Sequence, residues 1–273
     1  TAPAAPEILQ ALAAANTGYA RGYGDDSLTA RLDAVFGEFF GTTVRVFPVA
    51  TGTAANALSL ATLVPPWGAV YCHREAHIVR DECGAPEFMS GGARLVLLGG
   101  EQAKFTATAL GAALDDNPPS VHTVQPAAVS ISQATELGTC WRPAEIAAVS
   151  ALAHRRALPL HMDGARFANA LAFLQCHPAD ITWKAGVDVL SFGATKNGAL
   201  AAEAVVFFNT ALVRDFEFRR KRAAHLFSKM RYLSAQLLAY LETGVWQRNA
   251  QRANALAQRI AVAAGATLMH PVE

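Results

Sequence analysis

Lys196 and Asp163 are the two residues of this sequence whose types and surroundings point most directly to chemistry. Lys196 closes the mostly apolar run 187–196, and Asp163 lies near the end of the upstream run 158–166. A lysine amine condenses with an aldehyde cofactor, and a carboxylate holds the pyridine nitrogen of such a cofactor protonated. An acid at the end of one buried strand and a lysine just past the next therefore predict a site for pyridoxal 5'-phosphate.

Both residues also have a plainer interpretation. A carboxylate at the end of an apolar strand needs a partner, and Arg166 could form a simple ion pair with Asp163. The alternative partner is the pyridinium N–H, with Arg166 turned toward an oxygen of substrate or cofactor. Lys196 could be a surface charge, but its small neighbours Gly193 and Gly198 leave room for a flat ring. Together the two runs favour the cofactor site.

A Gly-Thr turn at residues 51–56 is a candidate phosphate site. It follows a predicted strand and opens a predicted helix. Gly52 lets the backbone approach an anion, Thr53 offers a hydroxyl, and the start of a helix presents free N–H groups. Taken alone, the same turn is equally well explained as an ordinary helix cap. Combined with the lysine run, it favours phosphate.

Three histidines could contribute a ring or a proton acceptor to this site. His77 is the first choice, because an imidazole can stack on the cofactor and also transfer protons. His73 and His161 are rivals. His161 lies two residues before Asp163, so on a strand it shares a face with that acid and could support it.

The pattern from residue 44 onward is strand, loop and helix, repeated. Short apolar runs predict strands at 44–49, 69–72, 93–98, 127–131, 157–162, 187–192 and 204–208, with helices at 54–63, 143–156 and 167–174. Several runs are apolar on both faces, which is typical of strands covered by helices on both sides. The prediction is an α/β fold, a three-layer α/β/α sandwich with a mostly parallel sheet, whose ligands bind at the carboxyl ends of strands.

Beyond residue 210 the pattern predicts helices alone. One long helix is expected over 211–242 and another over 246–264, ending at Gly265, with a strand beginning near 269–273. We therefore predict three regions: a helical segment at 1–40, a large cofactor-binding domain at 41–210, and a helical connection at 211–273. The last region would begin a second, smaller C-terminal domain that is mostly missing.

Composition limits the class of protein. The sequence is 52% hydrophobic with a net charge of +1, so neither nucleic acid nor a membrane is an expected partner. Its four cysteines show neither C-x-x-C pairs nor zinc-like spacing, which predicts reduced thiols, no metal site and a cytoplasmic location. The basic run 219–222 is either a helix face near an anionic ligand or another subunit, or a solvated turn.

These sites, in this order, resemble the low-specificity L-threonine aldolases of the β-eliminating lyase group, within the fold-type I pyridoxal-phosphate enzymes. The similar segments cover essentially the whole chain and lie at 23–26, 52–53, 77–87, 132–138, 161–166, 195–198 and 228–231. Members of the group often carry a histidine where this chain has Thr135. They also begin with a short Ser-Asp segment and end with a small C-terminal domain. The resemblance therefore implies a chain truncated at both ends.

The resemblance also implies roles for particular residues. They are Lys196 as the Schiff-base lysine, Asp163 as the pyridine-nitrogen partner, His77 as the stacking ring, Gly52 and Thr53 as the phosphate turn, Arg166 as a substrate- or cofactor-binding arginine, and Arg231 as a basic residue near the phosphate. The catalytic residues would be Lys196, His77 and Asp163.

The implied activity is aldol cleavage of L-threonine, L-allo-threonine and related β-hydroxy-α-amino acids to glycine and an aldehyde. A homodimer or homotetramer with active sites at subunit interfaces is implied as well. The alternatives are another fold-type I lyase or aminotransferase, or a truncated, non-catalytic form that keeps the fold.

Overall fold

The computed structural model describes residues 2–213, 215–265 and 270. Within these residues the chain forms one seven-stranded sheet with helices on both faces. The strands are β1 (Arg45–Val49), β2 (Gly68–His73), β3 (Arg94–Leu98), β4 (Gln125–Ser132), β5 (Leu160–Gly164), β6 (Val189–Gly193) and β7 (Glu203–Phe207). The α-helices are α1 (Pro6–Ala15), α2 (Leu32–Phe40), α3 (Gly52–Leu63), α4 (His77–Arg80), α5 (Ala85–Ser90), α6 (Ala107–Asp115), α7 (Pro143–Arg155), α8 (Phe167–Leu174), α9 (Phe216–Arg222), α10 (Arg231–Glu242) and α11 (Val245–Ala264).

The sheet order brings the ends of most strands to one edge. The order is β1-β7-β6-β5-β4-β2-β3, and the pairs from β6 through β3 are parallel. Strand β7 is antiparallel to both β6 and β1, so β1 runs in the same direction as β6. The carboxyl ends of six strands therefore lie at the same edge, where ligands of such sheets bind.

The first face of the sheet carries the larger part of the core. Alternate strand residues such as Val129, Met162 and Phe192 pack there with Phe36 and Phe40 of α2. The ring of Phe192 meets Phe36 edge-on, with centroids 5.2 Å apart. Other members of this core cluster come from α7, α8 and α10. Side chains alternate between the two faces of a sheet along each strand. Strands predicted to be apolar on both faces therefore require helices on the second face as well.

Helix α3 covers that second face, which divides into two apolar clusters. One contains Ala55 and Leu58 of α3 with Val205 of β7, and the other contains Leu60 with Val70 of β2. Between them the second face is polar, with the buried residues Ser130, His161, Asp163 and Ser191, which we call the central polar stripe. The three-layer α/β/α prediction is confirmed.

Each predicted apolar run overlaps one of the seven strands. The helix ending at Gly265 is confirmed, with Gly265 at φ +55° as its C-cap. The single helix predicted over 211–242 is wrong. The chain instead forms a short turn, α9, a non-helical segment and then α10. Ala224 has φ +62° in that segment, and His225 beyond it accepts a hydrogen bond from the backbone N–H of Ala50. This tertiary contact outweighs the local helical pattern.

The strand predicted near 269–273 lies outside the described residues, apart from His270. The division into regions at residues 40 and 210 stays a prediction. None of the helices in the described part of the chain combines the length and apolar character that a membrane span requires.

Candidate active site

Four sequence-predicted sites lie at the shared carboxyl edge of the sheet. Gly52 and Thr53 follow β1, His77 follows β2, Asp163 is the penultimate residue of β5, and Lys196 follows β6. Strands β5 and β6 are neighbours, with Asp163 opposite Ser191. Parallel packing of the strands therefore places their ends at one edge, where ligand atoms of His77 and Asp163 lie within 4.8 Å of each other.

Asp163 is a buried carboxylate, 4% exposed, held by neutral donors. Its Oδ2 accepts a hydrogen bond from Nδ2 of Asn56 at 2.9 Å, and its Oδ1 accepts one from the backbone N–H of Ala165 at 3.0 Å. Within the described residues no lysine or arginine pairs with it. The simple ion pair with Arg166 is therefore not formed, because Arg166 lies instead 3.6 Å from a carboxylate oxygen of Glu136. A buried carboxylate with this partner set favours a cation as its remaining partner.

Asn56 and Glu82 connect Asp163 to His77, and sequence reasoning assigned neither a role. Nδ2 of Asn56 donates to Oε1 of Glu82 at 2.8 Å as well as to Asp163, and Nδ1 of His77 lies 2.9 Å from the same Glu82 oxygen. Ligand atoms of His77, Glu82 and Asp163 all lie within 4.8 Å of one another. The sequence signal was a lone asparagine in the otherwise apolar or small-residue stretch 54–61.

The pKa values of both His77 and Glu82 are raised, each for a different main reason. The hydrogen bond to Glu82 raises the pKa of His77, and the nearby carboxylates of Asp163 and Glu136 add to the effect, against the opposing effect of burial. Burial raises the pKa of Glu82, opposed by its hydrogen bonds from His77 and Asn56. The hydrogen bond between them favours the charged form of each group.

The first turn of α3 contains Gly52 and Thr53, the residues of the predicted phosphate turn. The Thr51 hydroxyl caps the helix by accepting from the N–H of Ala54, and the Thr51 carbonyl accepts from the N–H of Ala55. The preceding N–H groups, of Gly52 and Thr53, have no carbonyl one turn back to bond to. A Cβ added at Gly52 would meet nothing within 4 Å, so there is open space beside this turn.

Lys196 lies in the short 3-10 turn Thr195–Asn197 directly after β6, and its side chain is exposed. It lines a surface cleft together with the N-terminal residues 2–7 and the start of α11. The backbones are tightly packed just before this turn, since a Cβ at Gly193 would lie 2.7 Å from Cα of Ala165. Glycine at 193 therefore allows the ends of β5 and β6 to approach each other closely.

Glu203, at the start of β7, is a second buried acid that sequence reasoning missed. It is 6% exposed, and its Oε2 accepts from the N–H of Ala194 at 3.1 Å. Burial raises its pKa to about 7, opposed by hydrogen bonds from Thr195 and Ala194 and by the charge of Lys196. The turn that carries Lys196 is therefore held by a carboxyl group whose charge changes near neutral pH.

The rival histidines have structural partners. His161 bridges Ser130 and Ser191, with each ring nitrogen 2.9 Å from a hydroxyl, and burial lowers its pKa to about 4. It shares the face of Asp163 as predicted, but its hydrogen bonds go to the serines. His73 bonds through Nε2 to the carbonyl of Gly100 at 3.2 Å. Of the three candidates, His77 is the one hydrogen-bonded to the acidic cluster.

Arg231 lies with the N-terminal segment. Its Nη1 donates to the carbonyls of Thr17 and Gly18 at 3.5 and 3.4 Å, and its guanidinium lies over the Tyr232 ring. Its role near a phosphate stays a prediction. The basic run 219–222 is helical, in α9, which packs against α3.

The beta-eliminating lyase family model matches residues 1–273. The chain belongs to this family. It is 47% identical over 273 residues to a low specificity L-threonine aldolase of Pseudomonas aeruginosa, and 47% identical over 272 residues to one of a Pseudomonas sp. strain. Each match covers 98% of this chain and 78% of the relative. The resemblance predicted from the sequence is confirmed.

A solved structure agrees with the sequence relatives. The threonine aldolase of Leishmania major has a TM-score of 0.92 and 29% sequence identity, over 99% of this chain and 80% of that one. The similarity to threonine aldolases therefore covers the fold as well as the sequence.

Proposed function

We propose that this chain is a pyridoxal 5'-phosphate-dependent aldolase that cleaves L-threonine, L-allo-threonine and related β-hydroxy-α-amino acids to glycine and an aldehyde. Membership of the lyase family and the 47% identity to two low specificity L-threonine aldolases support the reaction class. The observation that carries the proposal is Asp163, a buried carboxylate at the ligand edge of the sheet without a lysine or arginine partner in the described residues.

The donor set fits this cofactor. Asp163 offers a carboxylate for a pyridinium N–H, the first turn of α3 offers the N–H groups of Gly52 and Thr53 for a phosphate, and Lys196 offers an amine for the aldehyde. The open space beside Gly52 is where a phosphate group would need to enter. When bound, the cofactor supplies an electron sink for the charge left at the substrate Cα.

The residues of the chain then have separate tasks. Asp163 keeps a proton on the pyridine nitrogen. Glu82 holds the imidazole of His77 close to Asp163, since ligand atoms of the three residues lie within 4.8 Å of one another. His77 takes the proton of the β-hydroxyl as the Cα–Cβ bond breaks and the aldehyde forms. A proton returned to Cα gives glycine. Arg166 exchanges its long contact with Glu136 for the substrate carboxylate.

We also propose that the chain acts in the cytoplasm as a homodimer or homotetramer with active sites at subunit interfaces. Cys72, Cys83, Cys140 and Cys176 form no disulfide within the described residues, which fits a reducing compartment. The net charge of +1 supports an amino-acid substrate rather than nucleic acid as the partner. The region 41–210 contains the proposed lysine, acid, histidine and phosphate turn, which supports its assignment as the cofactor-binding domain.

The test is an assay of the purified chain with added cofactor. We expect L-threonine and L-allo-threonine to yield glycine and acetaldehyde, and glycine to condense with added aldehydes. Keto-acid transamination without aldehyde release would instead identify an aminotransferase. A chain that binds the cofactor but catalyses neither reaction would support the non-catalytic alternative.

A further inference from the structure

Glu82 is a buried acid in contact with the proposed proton acceptor. It is 4% exposed, and its Oε1 accepts from Asn56 at 2.8 Å and lies 2.9 Å from Nδ1 of His77. Its Oε2 is buried and has no hydrogen-bond partner in the part of the chain that the structure describes. A carboxyl group so enclosed has little freedom to turn, so its contact with the imidazole is fixed.

Asn56 determines which Glu82 oxygen carries that contact. Its Nδ2 has two hydrogens, one for Oε1 of Glu82 and one for Oδ2 of Asp163. Its own Oδ1 is buried and has no hydrogen-bond partner among the described residues, so the amide orientation is set by these two carboxylates. The amide thus holds both acids in place from one rigid helix, α3.

The contact between His77 and Glu82 also selects a protonation state of the imidazole. Two atoms 2.9 Å apart need a hydrogen between them, and an ionised carboxylate has only lone pairs to offer. With Glu82 ionised, the hydrogen belongs to Nδ1 of His77. No hydrogen bond to Nε2 is formed within the described residues, so this nitrogen keeps its lone pair available.

We infer that Glu82, clamped by Asn56, is a positioning residue that holds His77 with its hydrogen on Nδ1 and leaves Nε2 to accept the β-hydroxyl proton of the substrate. This inference rests on the proposed aldol cleavage for its catalytic consequence. The covalent balance is simple: the hydroxyl proton moves to Nε2, and the O–H electron pair forms the carbonyl bond. The Cα–Cβ pair stays with Cα.

Charged groups around His77 set the direction of its pH dependence. The carboxylates of Glu82, Asp163 and Glu136 all favour the imidazolium. Removing the charge of Glu82 therefore lowers the pKa of His77, so the neutral ring that accepts a proton persists to lower pH. It also frees the imidazole to take the other tautomer.

The first experiment measures the ring itself and needs no turnover. Imidazole ¹⁵N NMR of the full chain, with and without pyridoxal phosphate, locates the hydrogen on His77, assigned by the resonance missing in His77→Gln. We expect protonated Nδ1 and unprotonated Nε2 in the neutral ring. In Glu82→Gln we expect a lower midpoint for the His77 titration and a mixture of tautomers. A wild-type ring with its hydrogen on Nε2 overturns the inference.

The second experiment compares cleavage of L-threonine by Glu82→Gln and by Asp81→Asn, a matched loss of charge at the exposed neighbouring position. We expect Glu82→Gln to lose about tenfold or more in kcat, with KM nearly unchanged and the acid limb of the pH profile shifted to lower pH. Asp81→Asn should match the wild type. An unshifted acid limb in Glu82→Gln contradicts the inference. Absence of cleavage by the wild type contradicts the proposed function, while the NMR result still decides the role of Glu82.

Discussion

Asn56, in the second turn of α3, donates a 2.9 Å hydrogen bond to Asp163 at the end of β5. The same helix begins at Gly52, where its first N–H groups face the proposed phosphate position. One helix therefore fixes both ends of the proposed cofactor site, the carboxylate for the ring nitrogen and the donors for the phosphate. Residues 54–61 of α3 are all buried, so both sets of groups are held by one packed helix.

Replacing Asp163 by asparagine tests the ring-nitrogen assignment. The amide keeps the shape of the carboxyl group and can still accept from Asn56, so we expect the chain to fold and to bind pyridoxal phosphate. Without a negative charge the pyridine nitrogen loses its proton, and cleavage of L-threonine should fall by about 100-fold or more.

Cofactor absorbance titration and steady-state kinetics measure the two effects separately for Asp163→Asn. Asp116→Asn, at an exposed position next to the end of α6, is the matched control and should retain full activity. Normal kcat in Asp163→Asn would show that the Asp163 carboxylate is not needed to keep the pyridine nitrogen protonated.

Much of the sheet and its ligand edge could be predicted from the sequence, because strand alternation and the position of acids after strands are local patterns. Asp163 and Gly52 are found this way. Asn56 and Glu82 could not be assigned, because their meaning depends on a contact between α3 and the segment after β2. An asparagine within a helix carries no local sign of the carboxylates it will meet.

The break in the predicted helix at 211–242 has the same origin. The periodicity of that segment is helical throughout, but Nδ1 of His225 accepts a hydrogen bond from the N–H of Ala50, just after β1. Glu203 was missed because a glutamate opening a short strand looks like an exposed residue in sequence. Its burial comes from pairing with both β1 and β6, at Val49 and Gly193.

Gly52→Ala tests the phosphate turn without disturbing the fold. The added Cβ meets nothing within 4 Å, so the methyl group should be tolerated and, in a helix, should stabilise the apo-protein by up to about 1 kcal/mol. The same methyl would occupy space needed by the phosphate. We therefore expect a Kd for pyridoxal phosphate raised about tenfold or more.

Gly111→Ala, within α6, is the control for Gly52→Ala, because its Cβ makes only an ordinary 3.5 Å contact with Leu152. It should gain similar stability with unchanged cofactor affinity. Fluorescence titration and urea unfolding of both variants supply the comparison. If Gly52→Ala and Gly111→Ala bind pyridoxal phosphate with the same Kd, the phosphate does not bind at Gly52.

Lys196→Ala tests the covalent attachment. In the wild type, borohydride reduction of the cofactor-loaded chain should fix the cofactor to a peptide containing Lys196, detected by mass spectrometry. In the variant no peptide should be labelled, and turnover should be lost. Lys184→Ala removes another exposed lysine, paired with Asp180, and should label normally. Label on a different lysine of the wild type would contradict the assignment.

Glu203 should make the stability of the chain depend on pH. Burial is the main cause that raises its pKa to about 7 in the folded chain, from its ordinary value of 4.5. Between these values the folded state keeps a proton that the unfolded state has lost. The contribution of Glu203 to stability is therefore fully present below about pH 4.5, declines as the pH rises, and is lost above about pH 7.

Glu203→Gln removes this titration while keeping an acceptor for the N–H of Ala194. At pH 8 the variant should exceed the wild type in free energy of unfolding by up to about 3 kcal/mol, since each pKa unit corresponds to about 1.4 kcal/mol. At pH 5 the difference should shrink to well under half of that value. Urea unfolding at the two pH values measures it, with Glu38→Gln, an exposed acid on α2, as the control that shows no such dependence. A constant difference between pH 5 and pH 8 would mean that Glu203 is ionised throughout, paired with a cation such as Lys196.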